Sequence, residues 1–130
     1  MKQVAIATVQ APAAIGPYSQ AIQLGDLLFC SGQVPIDPAM GQLVGTTIGE
    51  QTRQALTNVK ALVEAAGSSL GQIVKTTVFL TTMDHFQEMN EVYATFFETP
   101  QPARSTIAVA GLPRNALVEI ECIAYKETSK

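Results

Sequence analysis

The sequence predicts one α+β domain, in which a six-stranded mixed sheet carries two helices on one face. The length of 130 residues suits a single domain. Short segments rich in β-branched residues alternate with two segments of helical periodicity, which gives the order β-β-β-α-β-α-β-β. Strand–helix–strand units with right-handed crossovers place both helices on the same side of the sheet.

The N-terminal part is predicted to form a strand and then a β-hairpin. The first strand covers about residues 3–8, and an irregular loop follows it. The segments Ser19–Leu24 and Leu27–Ser31 flank Gly25-Asp26, a pair that is typical of a two-residue hairpin turn.

Residues 32–49 are rich in chain breakers. Such a density of proline and glycine predicts an ordered loop, and a loop of this length inside a small domain indicates a function. The breakers are Pro35, Pro38, Gly41 and Gly45.

Two helices are predicted after this loop. The first covers about residues 49–66, and Gly67 occupies the position of a left-handed residue at its C-terminus. The second begins at Asp84, with Gln87 as its reciprocal capping partner, and is ended by two prolines. Its inward-facing apolar stripe is Phe86, Met89, Val92, Tyr93, Phe96 and Phe97, and the prolines are Pro100 and Pro102.

The remaining strands are predicted at Ile73–Thr81, Arg104–Ala110 and Leu117–Tyr125. Several strands are apolar on both sides, which a sheet with one face in water would not tolerate. Apolar residues make up 47% of the chain against 15% charged residues. We therefore expect further copies of the chain to cover the face that has no helix.

Composition and charge argue against several functions. The net charge of −3, with eight Lys and Arg residues spread singly, provides no basic stripe for nucleic acid. No apolar run is long enough to span a membrane, and the N-terminus lacks a signal peptide, so we expect a cytoplasmic protein.

Cys30 and Cys122 lie in apolar runs and are expected to be buried free thiols. His85 is the single histidine, so we expect no bound metal. The sequence lacks a phosphate-binding glycine motif, so a nucleotide cofactor is not indicated.

The candidate catalytic residues lie in the last two strands. Alternation places Glu119 and Glu121 on one face of the last strand, where an apolar setting raises a carboxyl pKa toward the range useful for proton transfer. Arg104 begins the preceding strand, and its guanidinium matches a carboxylate ligand. A structural ion pair between Arg104 and either glutamate explains these residues equally well. The weaker candidates, each of a type common in loops and caps, are Tyr18, Ser31, Gly32, Gln33 and Asn90.

Seven segments spread over nearly the whole chain form a specific combination: APAAIGPYSQAI, SGQVPIDPAMGQLV, QTRQALTNVKALVEAAG, IVKTTVFLTTM, FQEMNEVYATFF, PARST and LVEIECIAY. In this order and spacing they resemble the RidA/YjgF family of reactive-intermediate deaminases. The resemblance implies a chorismate-mutase-like fold that assembles as a homotrimer with clefts between subunits.

The resemblance also implies a reaction and its residues. Deaminases of this family hydrolyse 2-imino acids and their enamine tautomers, such as 2-aminoacrylate, to 2-oxo acids and ammonia, which protects pyridoxal-phosphate enzymes. By position, Arg104 matches the arginine that binds the substrate carboxylate, and Glu119 matches the acid that positions or activates water. Thr106 stands where close relatives commonly carry a cysteine, and the connection formed by residues 98–101 is short for the family. The remaining residues that match the cleft are Tyr18, Ser31, Gly32 and Asn90.

The alternative is a non-catalytic module that binds small 2-oxo acids or a regulatory partner in the same cleft. Glu119 favours catalysis, because a buried carboxylate beside an anionic ligand weakens simple binding. Endoribonuclease activity, which has been attached to some family members, is disfavoured by the acidic net charge.

Overall fold

The computed structural model describes residues 1–127. The strands are β1 Gln3–Ile6, β2 Ala21–Leu24, β3 Leu27–Gln33, β4 Ile36–Asp37, β5 Gln42–Leu43, β6 Ile73–Leu80, β7 Ala103–Ala108 and β8 Val118–Tyr125, and the helices are α1 Ile48–Ala65 and α2 Phe86–Ala94. Six strands form one sheet in the order β1-β2-β3-β8-β6-β7, and β4 and β5 form a separate pair. Only the β6–β7 pairing in the large sheet is parallel. The α+β class and the six-stranded mixed sheet are as predicted.

The first hairpin has the predicted turn, whereas the loop that follows it contains an element the sequence did not reveal. Leu24 pairs with Leu27, so the two intervening residues form the turn, and Gly25 has the positive φ of 60° that such a turn needs. Within the loop predicted at 32–49, β4 and β5 form a small hairpin. Asn58 of α1 holds it by donating from Nδ2 to the carbonyl oxygens of Val34 at 3.0 Å and Ile36 at 2.9 Å.

Helix α1 is stabilised at both ends. Thr47 accepts a hydrogen bond from the Glu50 backbone, and the Glu50 carboxylate accepts from the backbone N–H groups of Thr46 and Thr47, which completes a capping box. These backbone hydrogen bonds hold the pKa of Glu50 below its usual value. Gly67, at φ 88°, is the predicted left-handed residue after the helix.

The predicted start of α2 was wrong. Residues 83–85 form a 3₁₀ turn before the helix, and Thr82 caps that turn by accepting from the Asp84 backbone N–H at 3.2 Å. Asp84 therefore lies inside the turn and is not the N-cap, and the α-helix begins at Phe86. The helix ends at Ala94, so the prolines predicted to end it lie in the following connection.

Both helices pack on one face of the sheet and enclose the core there. Alternate residues of β8 point into this core, as predicted from the sequence. Cys30 and Cys122 are buried free thiols directly opposite each other on β3 and β8. Their mutual hydrogen bond, together with burial, raises the pKa of the Cys122 thiol. The fully buried large side chains include Leu28, Leu56, Leu62, Leu80, Met89 and Ile120.

The opposite face of the sheet, which we call the open face, carries exposed apolar side chains. Phe29 of β3 is 40% exposed and Ile107 of β7 is 46% exposed. The residues of β3 on either side of Phe29 are buried in the core. Covering of the open face by other copies of the chain stays a prediction. In the described part of the chain, neither helix combines the length and apolar character needed to cross a membrane.

Candidate active site

Glu119 lies in a cavity of about 490 Å³ where β3 ends and β8 begins. Tyr18, Ser31 and Gly32, three of the residues predicted to line the site, border the same cavity. Antiparallel pairing of β3 with β8 explains this arrangement, because the end of one strand then lies beside the start of the other. The long loop before β2 supplies Tyr18.

Gly32 is required by its close contact with Glu119. The β3–β8 pairing is irregular between Cys30 and Gln33, and Gly32 lies within this irregularity. A Cβ atom on Gly32 would overlap Oε2 of the Glu119 carboxylate. Any side chain at position 32 would therefore displace that carboxylate.

The neighbours of Gly32 have mainly structural contacts. Ser31 donates from its backbone N–H to the Gln20 carbonyl at 2.9 Å and from Oγ to the Ser19 carbonyl at 2.7 Å, which ties β3 to the preceding loop. Tyr18 accepts at its hydroxyl from the Ile15 backbone N–H at 3.2 Å, and its side chain is 53% exposed. Tyr18 is therefore accessible to a ligand, while the Ser31 hydroxyl is already engaged.

Burial raises the pKa of the Glu119 carboxyl, and the neighbouring Glu121 raises it further. Both causes favour the protonated form, since one removes water and the other adds negative charge. A carboxyl group with a pKa moved toward neutrality can both accept and return a proton.

Arg104 occupies a second cavity, of about 450 Å³, which Asn90 also lines. Its guanidinium carbon lies 4.7 Å from the centre of the Tyr93 ring and 5.5 Å from that of Phe86. The Tyr93 hydroxyl shares a buried 2.7 Å hydrogen bond with Thr76. The two aromatic rings of α2 thus hold the guanidinium by cation–π contacts.

Sequence reasoning missed the support for Arg104. Phe86, Asn90 and Tyr93 are spaced by four and then three residues, so they lie on one face of α2 and meet β7 together. From the sequence, Phe86 and Tyr93 are assigned to the core and Asn90 to the cleft, and none of the three is connected with Arg104. Beside Arg104, Oδ1 of Asn90 and Oγ1 of Thr106 are buried without a hydrogen-bond partner in the described structure.

Arg104 and Glu119 lie on opposite faces of the sheet. Thr76 of β6 pairs with Arg104 on one side and with Cys122 on the other, so these three share the helix-covered face. Glu119 pairs with Phe79, which lies three residues after Thr76 on β6. Side chains alternate between the two faces along a strand, so this odd spacing places Phe79 and Glu119 on the opposite face from Thr76. The Cα atoms of Arg104 and Glu119 are two strand spacings of about 4.8 Å apart across the sheet and three residues of about 3.4 Å apart along it. Together these displacements give a separation of about 14 Å.

One copy of the chain therefore holds Glu119 and Arg104 in two separate cavities. Glu121 shares the face of Glu119, so neither glutamate is placed to form the predicted alternative ion pair with Arg104 of the same chain. A ligand that contacts both Arg104 and Glu119 needs them from different copies. Among residues 1–127, no three histidine, cysteine, aspartate or glutamate side chains cluster as a metal site would require.

The chain is similar to known proteins over nearly its whole length. A family model described as Endoribonuclease L-PSP matches residues 8–126. A RutC family protein of Pyrococcus horikoshii is 54% identical over 127 residues, which cover 98% of this chain and 100% of that protein. A mouse 2-iminobutanoate/2-iminopropanoate deaminase is 50% identical over 121 residues, or 93% of this chain and 90% of the mouse protein. A crystal structure from Thermotoga maritima superposes with a TM-score of 0.93 at 55% identity, covering 98% of this chain and all of that one.

Proposed function

The chain belongs to the RidA/YjgF family, whose model carries the description Endoribonuclease L-PSP, and we propose that it hydrolyses reactive 2-imino and 2-enamino acids. Substrates of this class include 2-iminopropanoate and its tautomer 2-aminoacrylate, and the products are 2-oxo acids and ammonia. Glu119 carries the proposal, because it is a half-buried carboxyl with a raised pKa in an accessible cavity. The name of the mouse relative supports the same reaction.

The residues account for the chemistry in a few steps. Arg104 binds the substrate carboxylate through paired N–H donors. Glu119, as the carboxylate, takes a proton from a water molecule while the water oxygen attacks the electrophilic imine carbon. Glu119 returns this proton to the nitrogen, which gives a neutral carbinolamine. The C–N bond then breaks as Glu119 takes the proton of the carbinolamine hydroxyl and passes it to the nitrogen, so ammonia leaves and the 2-oxo acid remains. Orientation of the substrate and one water lowers the barrier without a covalent intermediate.

The proposal requires assembly of the chain, and we place the active sites between the subunits of a homotrimer. The support is the position of Arg104 and Glu119 on opposite faces and the exposed apolar residues of the open face. Sedimentation at micromolar concentration should give three times the chain mass of 13.8 kDa. A mass equal to one chain would contradict the assembly. The buried free thiols agree with a location in the reducing cytoplasm.

Two other functions make different predictions. A module that only binds 2-oxo acids would use Arg104 but gain nothing from a second carboxyl with a raised pKa beside an anionic ligand. An endoribonuclease would need contacts to phosphates, which a chain with a net charge of −3 is poorly suited to provide. RNA cleavage by a pure preparation that disappears in Arg104→Ala would favour the endoribonuclease.

The direct test generates 2-aminoacrylate from serine with a dehydratase and follows pyruvate. The wild-type protein should accelerate pyruvate release, Arg104→Ala should not, and Arg53→Ala should behave as wild type. Arg53 is an exposed arginine of α1, so its variant controls for loss of one positive charge. If the wild type gives no acceleration, the deaminase proposal is wrong and the binding module takes its place.

A further inference from the structure

Arg114 is a second arginine near the proposed site, because it borders the cavity that Glu119 and Tyr18 also line.

 Its backbone is in the left-handed region, at φ 62° and ψ 20°, and Asn115 follows at φ 58°. Side-chain-bearing residues rarely adopt this conformation, and consecutive examples persist where the surrounding structure holds them. This left-handed pair belongs to the connection before β8, which places Arg114 at the border of the cavity.

The guanidinium of Arg114 is held in place by a neutral group. Its Nη2 donates to the Gly41 carbonyl at 3.1 Å, which links the β7–β8 connection to the turn between β4 and β5. A carbonyl oxygen positions the guanidinium without cancelling its charge. The remaining N–H groups of the guanidinium stay available to an anion.

Glu119 does not act as the counter-ion of Arg114. The influences on the pKa of Glu119 are burial and the negative charge of Glu121, and both raise it. An arginine in contact with the carboxylate would lower that pKa instead. The cavity therefore combines a carboxyl group whose pKa is raised with a separate positive charge.

We propose that Arg114 binds a second carboxylate on the substrate, so that the enzyme prefers 2-imino dicarboxylic acids. The proposal rests on the deaminase function proposed above. Arg104 of one copy binds the carboxylate next to the imine, and Arg114 of the other copy binds the distal carboxylate. The planar donors of a guanidinium suit this ligand, and a cavity of about 490 Å³ is within the usual size range of small-molecule sites.

A purely structural role for Arg114 makes a different prediction. If Arg114 only ties the β4–β5 turn to the connection before β8, its loss would disturb every substrate to the same extent. If it binds the distal carboxylate, its loss would affect dicarboxylic substrates selectively. The ratio of kcat/KM for a dicarboxylic and a monocarboxylic imine separates the two roles.

The kinetic test compares two imines that are generated in place by amino-acid oxidases. These are 2-iminosuccinate from aspartate and 2-iminopropanoate from alanine, and hydrolysis is followed by loss of semicarbazone formation. Arg114→Gln should lower the kcat/KM ratio of the dicarboxylic to the monocarboxylic imine about tenfold, as expected for loss of one charge-assisted contact near the surface. Arg114→Lys should retain part of the preference, and Arg53→Gln should retain all of it. An unchanged ratio in Arg114→Gln would overturn the proposal.

A binding test does not depend on turnover. Calorimetry with 2-oxoglutarate and 2-oxobutanoate compares a dicarboxylic and a monocarboxylic 2-oxo acid on the wild type, Arg114→Gln and Arg53→Gln. We expect Arg114→Gln to weaken 2-oxoglutarate about tenfold and to leave 2-oxobutanoate unchanged. Equal effects on both ligands would overturn the role of Arg114. Absence of imine hydrolysis by the wild type would instead refute the deaminase, while the binding result would still decide the role of Arg114.

Discussion

The buried hydrogen bond between Thr76 and Tyr93 should contribute measurably to folding, and its removal tests how Arg104 is supported. Thr76 is 0% exposed and Tyr93 is 6% exposed, and their hydroxyl oxygens lie 2.7 Å apart. Tyr93→Phe leaves the Thr76 hydroxyl buried without this partner, which costs about 1–3 kcal/mol of the free energy of unfolding. Removal of both hydroxyls in Thr76→Val with Tyr93→Phe should cost clearly less than the sum of the single changes.

Equilibrium urea denaturation of the wild type, both single variants and the double variant measures this coupling. Protein concentration is kept constant, because self-association would make the apparent stability depend on it. Thr57→Val is the matched control, since it removes an exposed hydroxyl of α1 that donates to its own helix, and it should change stability little. Strictly additive losses from the two single variants would refute the proposed energetic role of the hydrogen bond.

The same position separates the aromatic ring from its hydroxyl in catalysis. Tyr93→Phe keeps the ring that lies 4.7 Å from the Arg104 guanidinium, so the KM for 2-iminopropanoate should stay near the wild-type value. Tyr93→Leu removes the ring, and loss of about 1 kcal/mol of cation–π contact should raise KM about fivefold. Equal KM values for the two variants would show that the ring does not position Arg104.

Two further predictions concern Glu119. Gly32→Ala should lower kcat at least tenfold, because the new methyl group displaces the Glu119 carboxylate, whereas Gly111→Ala, at a glycine with no atom near the added methyl group, should have wild-type activity; wild-type kcat in Gly32→Ala would contradict the close contact. Glu121→Gln removes a negative charge that raises the pKa of Glu119, so the acid limb of the kcat/KM profile should move to lower pH. A limb that stays in place or moves to higher pH would show that Glu119 is not the titrating base or that Glu121 does not influence it.

Local patterns predicted most of the fold. The hairpin turn at Gly25, the left-handed Gly67 and the alternation along β8 each depend on a few neighbouring residues, and each is present in the structure. The lead-in to α2 was mispredicted because Asp84 is also a good residue within a turn, and the choice between the two positions depends on how Thr82 caps the chain. The β4–β5 hairpin depends on the side chain of Asn58, which comes from a distant helix.

The geometry of the site could not be read from the sequence in the same way. Alternation assigns the faces within one strand, but the register between strands decides whether residues on two strands share a face. For this reason the sequence identified Arg104 and Glu119 as candidates without revealing that one chain separates them. Arg114 was missed because its position beside the cavity depends on a left-handed backbone and on a hydrogen bond to Gly41.

The most direct test of the composite site mixes two inactive variants. Arg104→Ala and Glu119→Gln are prepared separately, unfolded, refolded together in equal amounts and assayed for hydrolysis of 2-iminopropanoate. Each site needs an intact arginine from one copy and an intact glutamate from another, so random mixing should restore about one quarter of the wild-type activity. Activity no greater than that of the separately refolded variants would contradict a site that two copies share.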